Sequence, residues 1–240
     1  MEYLFVVAVG LVAGTLSGIV GFGSSLMLMP VLVIAFGPLQ AVPIMAVAAV
    51  MANVSRVLVW WREIDWRACW AFAATGAPFG ALGAATLLSL PTRWIEAALG
   101  VFFVSMIGVR RWMAAHELRL RPAHLAAIGA PIGYLTGIVV STGPINAPFF
   151  LAYGLVKGAY IGTEALSSLA VYLSKVTAFR AFGALPFDII AKGLAVGASL
   201  MIGSIIAKRW VLRLDPSRFH ALMELLLLIS GATLLAAALV

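Results

Sequence analysis

The sequence has 240 residues, 63% of them hydrophobic and only 10% charged, which leaves too little polar side chain to coat a water-soluble globule. Its 16 Lys and Arg against 9 Asp and Glu give a net charge of +7, and the excess sits in short loops and at helix ends, where it orients helices in an anionic-lipid membrane and does not point to nucleic acid. The lone Cys69 excludes an intramolecular disulfide, and His116, His124 and His220 lack metal-ligand spacing, so no metal or cofactor is expected.

The first apolar run, 3–19, follows Met1-Glu2 without the basic region of a signal peptide and reads as a retained helix. Further runs follow at 26–36, 42–61, 69–90, 94–109, 125–140, 145–156, 165–182, 189–207 and 219–240, about ten segments in all. None has the period-two alternation of a β-barrel, so the predicted class is an all-α polytopic membrane protein. The runs 26–36 and 145–156 are shorter than the roughly 20 residues that span a bilayer, and each directly follows a glycine-rich break. They are expected to be halves of broken or re-entrant hairpins, whether returning or crossing. The tryptophans Trp60, Trp61, Trp66 and Trp70, with Trp94, Trp112 and Trp210, sit at segment ends as an interfacial belt.

A phrase repeats. Gly14-Thr15-Leu16-Ser17-Gly18-Ile19-Val20 stands 119 residues before Gly133-Tyr134-Leu135-Thr136-Gly137-Ile138-Val139, and each copy is followed by a proline, Pro30 or Pro148. Arg56 falls opposite Lys175 at the same offset, in Ser55-Arg56-Val57 and Ser174-Lys175-Val176. Pro91-Thr92-Arg93-Trp94 is answered by Pro216-Ser217-Arg218-Phe219. Matches in register indicate duplication. The predicted organisation is a first repeat at 1–112, a cytoplasmic linker at 113–122 and a second repeat at 123–240.

With the N-terminus outside, the loop bearing Arg62 and Arg67, the linker with Arg110, Arg111, Arg119 and Arg121, Lys157, and the loop with Lys208, Arg209, Arg213 and Arg218 all face the cytoplasm, while Arg93, Arg180 and Lys192 face out. The positive-inside rule therefore predicts external N- and C-termini. Five segments per half then make the two repeats inverted, the pattern of an alternating-access carrier with its substrate near the midplane between the breaks.

The run Gly14-x-x-x-Gly18-x-x-Gly21-x-Gly23-Ser24-Ser25 followed by Pro30, with its degenerate copy from Gly133 to Pro148, resembles the TauE/SafE family, also called the sulfite exporter or TSUP family. In the second copy Val140, Ser141 and Thr142 stand where the pattern has glycines. The resemblance implies a bacterial inner-membrane carrier of sulfur-containing anions such as sulfite and organosulfonates. The expected partners are that small anion and membrane lipids, with a homo-oligomer allowed.

The residues point to an anion on their own. A helix that begins inside the membrane, at Ser24-Ser25 or at Gly143-Pro144, exposes its first amides and the positive end of its dipole, and an oxyanion satisfies both. Gly21, Gly23 and Gly143 let backbone approach the ligand, while Ser24, Ser25, Ser141, Thr142 and Asn146 supply neutral donors. Arg56 and Lys175, with Asn53 alongside, complete the candidate set. A cation centred in an apolar helix costs roughly 2.5–3.5 kcal/mol and needs an anion or a route to the interface, and Arg56 is close enough to Arg62 to snorkel. Glu164 is expected to open the segment bearing Lys175, and Glu96 and Glu224 to lie near the starts of corresponding last helices. A carboxylate at such a place serves either proton coupling or the helix dipole. Close packing is the expected role of Gly76, Gly80, Gly193 and Gly197, and an alternative role for Gly14, Gly18, Gly133 and Gly137. No Ser-His, His-Glu-x-x-His or paired Asp arrangement lies inside the apolar segments, so no enzyme is expected. An anion channel and a carrier of a non-sulfur organic anion remain as alternatives.

Overall fold

The computed structural model describes residues 2–20, 23–89, 91, 101, 120–138 and 143–207, and the regular structure among them is helical. The principal elements are α1 (Glu2–Val20), α2 (Ser24–Phe36), α3 (Pro38–Trp60), a short 3-10 turn (Trp61–Glu63), α4 (Trp66–Leu88), α5 (Pro122–Ile138), α6 (Gly143–Ala152), α7 (Lys157–Ala181) and α8 (Phe187–Ala207). The expected runs at 94–109 and 219–240, with Glu96 and Glu224, and the linker before residue 120 lie outside the described residues. Leu39–Glu63, Trp66–Leu88 and Phe187–Ala207 are long and apolar enough to cross a membrane. The α7 helix is as long, but it carries Glu164 and Lys175, so it is compatible with lipid only because its neighbours cover both.

Small residues decide how closely these helices pack, because glycine lets one backbone reach another. On α5, a Cβ at Gly133 would overlap the Gly76 carbonyl of α4, and one at Gly137 would lie 2.6 Å from the Gly83 Cα. On α1, Gly14 meets the Leu200 backbone of α8, and Gly18 meets Ser204 and Ala207. On α8, Gly193 lies against Ile44 and Val47 of α3, and Gly197 against Met51. Gly76 and Gly80 of α4 also receive Val171 of α7, one turn before Ser174 donates to the Ala77 carbonyl at 2.6 Å. All four expected glycine pairs are thus packing surfaces, including the two that had been open to another role.

The order of these contacts fixes directions. Residue numbers rise together along α4 and α5, α1 and α8, α3 and α8, and α4 and α7. Along α3 and α7 they run opposite, since Arg56 meets Glu164 while Trp60 meets Gly158 and Gly162. Hence α1 runs opposite to α5, α3 to α7 and α4 to α8. The close pairings also exchange consistently: α1 with α8 answers α5 with α4, α3 with α8 answers α7 with α4, and α2 with α3 answers α6 with α7.

Because α1 and α3 share a direction, α2 must carry the chain back between them. Gly37, at φ 76°, makes the turn from α2 into α3 as a single residue, a backbone conformation only glycine takes without strain. The α2 helix has 13 residues, about 20 Å, against 23 residues and about 34 Å for α3, so its N-terminus stops part-way. The 10-residue α6 repeats this between α5 and α7, with the Leu120 amide donating to the Ala152 carbonyl at 3.0 Å to close the hairpin. One boundary differs from expectation: the run predicted from residue 165 begins at Lys157. Gly158 and Gly162 bury those polar-looking first turns against Trp60 and Ile64.

Overlap at Gly133 is with backbone and has no easy relief. Gly133→Val is expected to lower stability in detergent by about 1–3 kcal/mol or more, read as a fall in the thermal unfolding midpoint. Ala127→Leu, on an exposed face of the same helix, should leave it unchanged.

Candidate functional site

The predicted site residues divide into three places. Ser24 and Ser25 are buried in the first turn of α2, directly after Gly23, whose φ of 110° sets the break. No side chain caps that end, so the first amides of α2 present the positive end of the helix to the interior. Gly143 is the first residue of α6, and Asn146 is buried in its first turn. Gly21, Ser141 and Thr142 lie outside the described residues.

Arg56 is the centre of the second place. It lies on the buried face of α3 with 6% exposure, so its guanidinium faces protein, not the headgroups. Its Nη2 donates to Asn53 Oδ1 at 2.6 Å, and the Asn53 amide in turn donates to the Ala49 carbonyl at 2.8 Å, which fixes that oxygen toward the cation. Across the interface, Arg56 Nη1 is 3.7 Å from Glu164 Oε2 of α7, an ion pair longer than a hydrogen bond. Glu164 is 2% exposed, and Ser168, one turn further along α7, donates to its Oε1 at 2.7 Å. The Asn146 amide at the tip of α6 is directed at the same carboxylate. Arg56 Nε and Nη1, Glu164 Oε2 and Asn146 Oδ1 are buried without a hydrogen-bond partner among the described residues. A guanidinium so placed presents donors to an oxyanion in a setting where charge-assisted bonds are roughly twice as strong as neutral ones.

Lys175 forms the third place. It is fully buried on α7, and its ammonium donates to the Thr136 carbonyl at 2.7 Å, with the Phe179 ring 5.5 Å away. Thr136 belongs to the last turn of α5, where carbonyls lack intrahelical partners and the dipole is negative, so the cation stabilises the helix end at the break. Lys175 is eleven residues beyond Glu164, about 16 Å along the axis. The structure therefore brings Asn53, Arg56 and Asn146 together and holds Lys175 at another level.

Glu164 is expected from the sequence at the opening of the segment bearing Lys175, just outside the apolar run 165–182. It sits instead in the second turn of α7, seven residues after Lys157, because that helix begins earlier than its hydropathy suggests. Its role as the counter-charge of Arg56 has one sequence signal: a cation inside an apolar run requires a partner, and Glu164 lies at the edge of another such run. Two nearby polar residues take structural roles, since Ser55 donates to the Ala52 carbonyl of its own helix and Ser174 to α4.

The family model described as Sulfite exporter TauE/SafE matches residues 6–234. No curated protein and no solved structure matches the chain.

Removing one member of a buried ion pair leaves the other uncompensated. Arg56→Met is expected to cost about 3–5 kcal/mol, and Arg56→Met combined with Glu164→Gln should recover most of it. Unfolding midpoints in detergent for the two single variants and the double variant measure this coupling.

Proposed function

Because the chain belongs to the sulfite exporter TauE/SafE family, we propose that it is a secondary transporter that moves a small sulfur-containing oxyanion, of the sulfite or organosulfonate type, across the bacterial inner membrane by alternating access. The observation that carries the anion is Arg56, buried between the halves with two unpaired donors at the tip of the half-helix α6. Sulfonyl oxygens accept from guanidinium, from neutral amides and hydroxyls, and from the open amides at a helix start. No covalent chemistry is asked of the site.

The arrangement of the helices supports alternating access. The counterpart helices α1 and α5, α3 and α7, and α4 and α8 run in opposite directions, and their pairings exchange, which supports an inverted repeat of residues 1–112 in 123–240. Two such halves tilt against each other in either sense about a fixed site at little difference in energy. Arg56 and Glu164 straddle that boundary, on α3 and α7 respectively.

The charge at the two ends of the bundle supports one orientation. By the helix directions, Arg62, Arg67, Arg121 and Lys157 lie at one end, and Arg180 and Lys192 at the other. The first end carries more basic residues and is assigned to the cytoplasm, with the N- and C-termini external. Trp61, Trp66 and Trp70 are exposed beside Arg62 and Arg67, as suits an interfacial belt.

Purified protein in liposomes should show saturable uptake of one or more of sulfite, thiosulfate, sulfoacetate and taurine, and Arg56→Met should abolish it. Flux that rises linearly with concentration would indicate a channel. Uptake confined to carboxylates would indicate a non-sulfur anion. In a Cys69→Ser background, a cysteine replacing Arg67 should be labelled from the cytoplasm and one replacing Phe187 from outside. Labelling of both from one side rejects the inverted arrangement.

A further inference from the structure

Resting on the anion reading above, we propose that Glu164 takes up one proton, on Oε2, for each oxyanion that Arg56 receives, so that proton and anion cross together. Four buried polar atoms of this cluster have no hydrogen-bond partner among the described residues: the donors Nε and Nη1 of Arg56, and the acceptors Oε2 of Glu164 and Oδ1 of Asn146. An oxyanion brings only acceptors. It satisfies the two donors, leaves the two acceptors unmatched, and sets a second negative charge beside Glu164. A proton does the reverse, because it removes the carboxylate charge and turns Oε2 into an O–H donor, which Asn146 Oδ1 accepts once the amide, now facing the carboxylate with its NH2, turns over. Together the two satisfy all four atoms, with Arg56 paired to the anion and Glu164 neutral. Either alone leaves an uncompensated charge in the interior, which costs far more than the joint arrangement.

The surroundings of Glu164 suit this exchange. On α3 the facing charge is Arg56, with uncharged Asn53 behind it. The α6 tip offers Asn146, and α7 itself offers Ser168, whose hydroxyl holds Oε1 whether or not Oε2 carries a proton. The start of α4 meets α7 nearby through the Asp65 amide on Thr163 and through Cys69 beside Ser167, and α5 reaches α7 only further along, where Thr136 meets Lys175. The duplication singles out the same cation. Residue 45, at the repeat offset of 119 from Glu164, is Met45, so the second half contributes a carboxylate that the first does not. The proton enters from the solution that supplies the anion and leaves to water on the opposite side as the Arg56–Glu164 pair reforms.

Methanesulfonate and ethanesulfonate are suitable probes because each carries one negative charge that is constant between about pH 6 and 8. The full chain in detergent and weak buffer, titrated with either, is expected to take up about one proton per anion bound. Its apparent affinity should weaken by up to about tenfold per pH unit on the alkaline side, the slope of one linked proton. Glu164→Gln should bind without proton uptake, with a flat pH dependence and more tightly than the parent at alkaline pH. Binding by the parent without proton uptake overturns the proposal, and does so even if the variant fails to fold. A variant that keeps the parental slope also overturns it. If the parent binds neither probe, nor sulfite, sulfoacetate or taurine, at any pH, the anion reading itself falls and this inference falls with it.

Discussion

The constraint on which the rest of the structure depends is that the hydrocarbon around this bundle supplies neither hydrogen bonds nor counter-charge, so every charge and every open helix end inside it must be met from within the bundle or by a ligand. The ion pair between Arg56 and Glu164 is where that constraint is most strongly felt. Each group sits on a helix that sets no opposite charge beside it, only amides and hydroxyls. Only the antiparallel apposition of α3 and α7 supplies the opposite charge. That apposition in turn depends on Gly158 and Gly162, whose missing side chains admit Trp60 and Ile64. Packing by small residues thus sets the electrostatics, and not the reverse.

The counterpart helices share their packing and differ in their chemistry. The glycine seam between α1 and α8 is repeated between α5 and α4, and each half has a short helix that begins after a break. The inward polar residues have diverged. At the repeat offset, Arg56 corresponds to Lys175, Asn53 to Tyr172 and Glu164 to Met45. One cation is therefore held by a carboxylate from the other half, and the other donates to a backbone carbonyl at the end of α5. A guanidinium is planar and always charged, whereas an ammonium is a compact point charge, so the two are not interchangeable as anion receptors.

The sequence makes legible those features that follow from local physics. Apolar run lengths with the positions of Gly23 and Gly143 identify the helices and the two short ones, because a bilayer sets a minimum span and a break needs glycine. The offset between Gly14 and Gly133 pairs segments that pack in corresponding ways, and the apolar surroundings of Arg56 and Lys175 mark both as intramembrane cations, although for Arg56 they leave snorkelling open until α7 is seen covering it. The start of α7 is not legible, since Lys157 and Gly158 read as loop until Trp60 is seen packed on them. Neither is the pairing of Arg56 with Glu164, which is a property of helix register between distant segments. The roles of Gly133 and Gly137 were ambiguous for a related reason: spacing reports that a backbone comes close to something, but not whether the something is another helix or a ligand.

Register also sets how the two cations relate to the two helix tips. Contacts of Arg56 with Glu164 and of Trp60 with Gly162, continued along the antiparallel pair, put Lys175 level with Met45 of α3. From its shared end with α3 at Gly37, the 13 residues of α2 climb to about the level of Val50, between those two heights. From its closure beside Leu120, the 10 residues of α6 descend to a tip at which Asn146 meets Glu164. Both positive helix ends therefore open between Arg56 and Lys175, which are about 16 Å apart along the bundle. A small oxyanion is too short to touch both cations at once. Among the described residues the Arg56 level alone sets a carboxylate beside its cation, whereas Lys175 is met by the carbonyl of Thr136, so the two levels differ in what a ligand would have to displace.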